Sequence, residues 1–234
     1  MDSDLTGKRA LVMGIGTRQG GLGVTRYLLD AGADVTVTDL RDVDSLTDTL
    51  RQLDGLPVRF VLGEHRREDF ERADLVVRNP GVPHDSPWLQ IARDAGASIE
   101  MEMTLFFRAC PAPIIGITGT KGKTTTSTLC AAILENLRDD TVLAGNMGRS
   151  SLARLPQITP ETPVVIELSS WQLEGLGEHR LSPQIAVFTN LSPDHLNRYA
   201  SMDDYLDAKL NIARYQQPND WFVVNKDDAT VWGA

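Results

Sequence analysis

Residues 116–126 read Gly-Ile-Thr-Gly-Thr-Lys-Gly-Lys-Thr-Thr-Thr, directly after the apolar pair Ile114-Ile115 and directly before a helix-forming stretch. A strand that feeds a glycine-rich loop and then a helix aims several backbone N–H groups, and the positive end of the helix dipole, at one point. That arrangement favours a phosphate chain. On this reading Gly119, Thr120, Lys121, Gly122, Lys123, Thr124 and Thr125 hold the phosphates of a nucleoside triphosphate, with Lys123 reaching the β- and γ-phosphates and Thr124 holding Mg²⁺. The common form of the loop has a glycine five positions before Gly122, where this chain has Ile117 flanked by Gly116 and Gly119.

Further on, three groups have types suited to join that chemistry. Glu167 closes the apolar run Val164-Val165-Ile166, where an unpaired carboxylate is costly unless a cation or loop N–H groups satisfy it. His195 ends Thr189-Asn-Leu-Ser-Pro-Asp-His, at the close of the next apolar run, with Asp194 before it. Lys209 lies in a helix-like stretch, Met202 to Ala213, at the edge of a stripe formed by Leu206, Leu210 and Ala213. A partly desolvated lysine has a lowered pKa and can react with CO₂, giving a carbamate that would be an anionic metal ligand. The alternative for Lys209 is a surface lysine with its stem laid on the protein.

Near the start, Met13-Gly14-Ile15-Gly16 closes an apolar run, Gly20, Gly21 and Gly23 follow, and Asp39 ends the next run. Glycines that admit a pyrophosphate and an acid that reads a ribose or base are the pattern of a dinucleotide site. Thr17-Arg18-Gln19 makes the glycine turn of 16–23 longer than that pattern allows, so a UDP moiety fits these residues as well as a redox cofactor. The turn-rich Arg78-Asn79-Pro80-Gly81-Val82-Pro83 follows a further apolar run, at the edge of the sheet where ligands of open α/β folds bind.

The elements that must carry these groups alternate. Strands are expected over 9–14, 34–39, 58–62, 74–77 and 98–100, with helices over 22–31 and 86–95, which makes a βαβ series with a parallel sheet. Cys110-Pro111-Ala112-Pro113 resists both helix and central strand and marks a boundary. Beyond it, strands are expected over 114–118, 163–168, 184–189 and 221–225, and helices over 123–137 and 202–215. The division is therefore 1–110 and 111–234.

With 234 residues and 41% hydrophobic side chains, the chain can build two cores. A net charge of -9 argues against nucleic-acid binding through phosphate neutralisation. Two cysteines, Cys110 and Cys130, give neither a disulfide framework nor metal-ligand spacing. The N-terminus lacks the order of a signal peptide, and no apolar run has the length of a membrane span. A soluble cytoplasmic protein with no membrane partner is the expectation.

Together, Gly116-Ile-Thr-Gly-Thr-Lys-Gly-Lys-Thr-Thr125, Gly145-Asn146-Met-Gly148, Glu167-Leu-Ser-Ser-Trp-Gln-Leu173, Thr189-Asn-Leu-Ser-Pro-Asp-His-Leu-Asn-Arg-Tyr199 and Tyr205-Leu-Asp-Ala-Lys209 resemble the Mur ligase family. The departure from the common phosphate loop is that family's own variant. The resemblance implies an α/β protein with a Rossmann-like UDP-binding domain and a central ATPase domain. It also implies that the ATPase domain is incomplete and that the family's third domain is absent.

The 167–173 and 194–199 segments are most similar to members that add D-glutamate to UDP-N-acetylmuramoyl-L-alanine with ATP. For this chain that implies catalytic Lys123, His195 and Lys209, and UDP-substrate contacts from Gly16, Gly23, Asp39, Asn79, Pro80, Gly81 and Asn146. Two Mg²⁺ sites are implied, one on Thr124 and Glu167 and one on His195 and Lys209 as its carbamate, in a monomer that is inactive when truncated. Other amino-acid specificities within the family, a catalytically silent UDP-sugar and ATP-binding fragment, and a regulator that uses ATP as a switch are the competing readings. The last gives Glu167, His195 and Lys209 no purpose.

Overall fold

The computed structural model describes residues 5–146, 148–194 and 198–233. These form two compact units, Met1–Arg108 with Gly148–Ala153, and Ala109–Met147 with Arg154–Ala234.

In the first unit, β1 (Arg9–Met13), β2 (Asp34–Asp39), β3 (Val58–Leu62), β4 (Leu75–Arg78) and β5 (Ser98–Glu100) form a parallel sheet in the order β3-β2-β1-β4-β5. Ala10, Leu11, Val12 and Met13 are all buried, so β1 is a continuous apolar run, as a strand covered on both faces requires. Between the strands run α1 (Gln19–Asp30), α2 (Val43–Arg51), α3 (Arg67–Arg72) and α4 (Pro87–Asp94). Leu11, Met13, Phe70, Val76, Leu89 and Ile99 share one core cluster, joining β1, β4 and β5 to α3 and α4. Chain order reverses on either side of β1, which opens a crevice at the carboxyl ends of β1 and β4.

The glycine turn is shorter than the sequence suggests. α1 begins at Gln19, so Gly20, Gly21 and Gly23 are helical and only residues 14–18 form the turn. Glycine is a poor helix former, and reading propensity alone delays the helix to Leu22. Packing overrides it, since a Cβ on Gly23 would lie 1.8 Å from Ser150 Oγ.

α5 (Glu102–Ala109) follows β5. In the second unit, β6 (Ile114–Thr118), β7 (Val142–Gly145), β8 (Val164–Glu167), β9 (Ile185–Phe188) and β10 (Trp221–Val224) form a second parallel sheet, ordered β10-β9-β6-β8-β7. The helices are α6 (Lys123–Glu135), α7 (Ser170–Glu178), α8 (Met202–Leu210) and the short α9 (Ala229–Trp232); a 3-10 turn, Leu152–Gln157, carries the chain from the first unit back into the second. α7 starts on a capping box in which Ser169 and Gln172 satisfy each other's backbone. β6 is central, flanked by β8 and β9, so the loops after all three strands meet at one edge.

α2, α3, α5, β7, α7 and α9 were not legible as elements in the sequence. They are short, and α2 and α3 are rich in polar residues. α8 stops at Leu210, before the expected 215, and continues as turns.

Candidate active site

The loop after β6 is held from its neighbour strand. Thr120 N donates to Asn190 O and Lys121 N to Asn190 Oδ1, each at 2.9 Å, while Thr189 Oγ1 donates to Lys121 O at 2.8 Å. Gly119 has φ of 150°, and a Cβ there would meet Thr189 Oγ1 at 2.0 Å, so only glycine fits beneath this contact. Lys123, the first residue of α6, curls back and donates from Nζ to Gly119 O and Thr120 O, both at 3.0 Å. Burial lowers its pKa, against the opposing charges of Glu167 and Asp194.

One residue on, Thr124 Oγ1 donates to Glu167 Oε2 at 2.6 Å. Glu167 ends β8 and is 2% exposed; its other oxygen accepts from Asn146 Nδ2 at 3.2 Å. An alcohol and a carboxylate at this separation are hard oxygen donors of the kind Mg²⁺ prefers, and that ion keeps waters and phosphate oxygens in its remaining positions. The pair therefore fits the implied ion. Among the described residues no group of three or more His, Cys, Asp or Glu is gathered for a metal.

Lys209 is inside, not at the edge of an apolar stripe. The buried face of α8 carries Tyr205, Ala208 and Lys209, while Leu206 and Leu210 are only partly covered. Lys209 is 1% exposed, and its Nζ donates to Gly119 O at 3.0 Å and to Thr118 Oγ1 at 3.4 Å, 4.8 Å from the Tyr205 ring centre. Burial, with the nearby charge of Lys123, lowers its pKa to about 7. His195 lies outside the described residues.

In the first unit, Asp39 is the organising acid. Its Oδ2 accepts from Gly16 N and its Oδ1 from Arg41 N, both at 3.0 Å. Across the crevice, Asn79 donates from Nδ2 to Gly14 O at 3.1 Å and accepts at Oδ1 from Gly81 N at 3.0 Å, which shapes the turn through Pro80. Arg78, 1% exposed, donates from Nη1 to Val82 O at 3.0 Å and braces the same turn. Gly16, Asp39, Asn79, Pro80 and Gly81 are thus gathered at the carboxyl edge of this sheet. Gly23 is beyond the first turn of α1, and Asn146 belongs to the second unit with its amide on Glu167. The sequence gives Thr189 and Asn190 no role of their own. Their signal was position: polar residues closing a strand that turned out to neighbour β6.

Residues 8–100 match the N-terminal domain of MurD-like Mur ligases, and residues 117–232 match the Mur ligase middle domain. UDP-N-acetylmuramoylalanine–D-glutamate ligase of Roseiflexus sp. (strain RS-1) is 60% identical over 97% of this chain and 49% of its own length. The ligase of the same name from Geobacter metallireducens is 44% identical over 98% of this chain and 50% of its own. Among solved structures, UDP-N-acetylmuramate-alanine ligase from Thermotoga maritima superposes with a TM-score of 0.57 at 28% identity, covering 94% of this chain and 50% of that one. The Neisseria meningitides UDP-N-acetylmuramate:L-alanyl-gamma-D-glutamyl-meso-diaminopimelate ligase reaches a TM-score of 0.66 at 18% identity, over 97% of this chain and 74% of that one, a likeness of fold. The chain spans about half the length of the curated relatives it matches.

Proposed function

The chain belongs to the Mur ligase family, and we propose that it supplies the UDP-binding and ATP-binding parts of a ligase that adds D-glutamate to UDP-N-acetylmuramoyl-L-alanine. The observation that carries this reading is the convergence of Lys123, the Thr124–Glu167 pair and buried Lys209 on one phosphate loop.

In the reaction, an oxygen of the alanyl carboxylate attacks the γ-phosphorus of ATP and ADP leaves, forming an acyl phosphate. The amine of D-glutamate then attacks the acyl carbon, phosphate departs with the electrons of its C–O bond, and the amine loses a proton to leave the amide. Both steps spread negative charge over phosphoryl or carbonyl oxygens, so fixed donors aimed at those oxygens carry the catalysis. Lys123 leaves its two loop carbonyls and turns to the transferring phosphoryl group. The N–H groups of 119–125, at the head of α6, receive the phosphates. Thr124 and Glu167 would hold one Mg²⁺, and His195 with Lys209 a second; bound there, the ions neutralise charge on the phosphates and the carboxylate.

Lys209 serves this reading as a carbamate. Its near-neutral pKa leaves much of it as the free amine at pH 7, and that amine adds CO₂ with loss of a proton. The anion so formed also relieves the repulsion between Lys209 and Lys123. In the first unit, the Asp39 carboxylate and the Asn79-Pro80-Gly81 turn receive the UDP moiety, with Gly16 admitting the pyrophosphate; Asn146 meets the muramoyl group. No described helix is long and apolar enough to cross a membrane. On this reading the protein works in the cytoplasm as a monomer.

Calorimetric titration with UDP-N-acetylmuramoyl-L-alanine, against UDP-N-acetylmuramate and UDP-N-acetylglucosamine, tests the proposal. Preferential binding of the alanyl nucleotide is expected. Equal binding of all three would reduce the first unit to a generic UDP site and remove the D-glutamate assignment.

A further inference from the structure

Between β9 and α8 the described residues, 189–194 and 198–201, are held by two separate sets of contacts. In the first, Asn190 and Thr189 hold the backbone of Lys121, and Thr120 Oγ1 both receives Ser192 N at 3.0 Å and donates to Ser192 O at 3.2 Å. Asp194 then stands 3.9 Å from the Lys121 ammonium. These contacts join residues 189–194 to the loop that receives the triphosphate.

In the second set, Arg198 and Tyr199 meet α7. Arg198 Nη2 donates to Glu174 Oε2 at 2.7 Å, and Tyr199 OH donates to Glu174 Oε1 at 2.5 Å. The Arg198 guanidinium also lies 4.6 Å from the ring centre of Trp171, one helical turn before Glu174. Glu174 and Arg198 are each less than one-fifth exposed, so water screens this pair only weakly. Burial and the Glu174 carboxylate push the Tyr199 phenol upward, which keeps it a neutral donor. Tyr199 packs 5.1 Å from the Tyr205 ring, and Tyr205 lies beneath the Lys209 ammonium. One carboxylate thus receives two successive residues, and the second of them abuts the side chain that floors the lysine site.

The geometry points to Glu174, with Trp171 beneath Arg198, as a positioning clamp. It fixes Arg198 and Tyr199 and, through the Tyr199–Tyr205 ring contact, the placement of Tyr205, which receives Thr120 Oγ1 at 3.5 Å and lies beneath Lys209. Glu174 touches no reacting atom; it acts through Arg198 and Tyr199. The carboxylate suits this task because its two oxygens take a planar guanidinium and a phenol at once, charge-assisted in the first case. The inference rests on the functional reading above, since it presumes that the phosphate loop binds a nucleotide with its metal.

The test compares the 234-residue chain with its Glu174→Ala, Glu174→Gln and Tyr199→Phe variants in two measurements. One is amide hydrogen exchange across residues 198–205 without ligand; the other is binding of Mn²⁺ with a non-hydrolysable ATP analogue carrying an imido bridge. In Glu174→Ala, exchange across these residues quickens and binding weakens, each about tenfold, the scale of a lost charged hydrogen bond. Tyr199→Phe, which deletes a single hydroxyl, falls between. If Glu174→Ala does not fold, the two milder variants decide. Unchanged exchange there overturns the clamp, as does faster exchange with unchanged binding. A wild-type chain that binds no Mn²⁺-nucleotide overturns the functional reading instead, and the exchange rates then judge the clamp alone.

Discussion

Lys123 and Lys209 share one acceptor: each Nζ donates to the carbonyl oxygen of Gly119 at 3.0 Å, although the lysines lie on different helices. Two ammonium groups on one carbonyl repel each other, and Lys209, the more deeply buried, yields the larger share of its proton affinity. The folded chain is thus least at ease when both are charged.

That strain has a pH signature. The folded pKa of Lys209, about 7, is below its usual 10.5, so the unfolded chain binds the extra proton between those values and stability rises with pH across that window. Below about pH 7 both states are protonated and the penalty is present in full. Lys209→Met should therefore raise the melting temperature at pH 6–7 in CO₂-free buffer by several degrees, on the order of the shift that ~1–2 kcal/mol brings to a chain of this size. The gain should shrink as pH approaches 10. A gain that stays constant with pH, or a loss at pH 6, contradicts the buried-charge account.

Chemical rescue addresses the carbamate. In a complete enzyme containing these residues, Lys209→Ala is expected to be inactive and to recover part of its turnover with acetate or formate, which can occupy the space of the lost carboxylate. Absence of rescue at every concentration would argue that Lys209 acts as an amine.

Lys123→Ala is expected to lower turnover at least ~10²-fold in the same enzyme, the scale for removing a charged donor that acts in the transition state. Steady-state kinetics with saturating ATP measures this. Near-normal turnover would mean that the phosphoryl group is stabilised by other residues.

Asp39→Ala should weaken UDP binding by the first unit about tenfold or more, because the Gly16 and Arg41 amides lose their shared acceptor and the turn loosens. Calorimetry with UDP alone reads the effect. ATP-analogue binding by the second unit serves as the internal reference and should not change.

Much of this protein is written locally. The five strand-and-turn units of the first sheet, the phosphate loop and the acid closing β8 each depend on a few adjacent residues: apolar runs, glycines at fixed offsets, a lysine and threonine at a helix start. Such signals survive without knowledge of the rest of the chain. The start of α1 did not, because glycines that weaken a helix in isolation are required at Gly23 by the approach of Ser150, more than a hundred residues away.

The same distinction governs Lys209. Adjacent helical positions differ by about 100° around the axis, so the sequence permitted either the Leu206–Leu210 stripe or the Tyr205–Ala208–Lys209 face to turn inward. Docking against β6 and its loop selected the second, and with it a buried amine. Strand order was also invisible locally: only the assembled sheet sets β9 beside β6, bringing Thr189 and Asn190 onto Lys121. Residue types and short spacings determined which chemistry this chain carries. Burial and neighbourhood, which are sums over distant segments, decided which groups meet and in what state of charge.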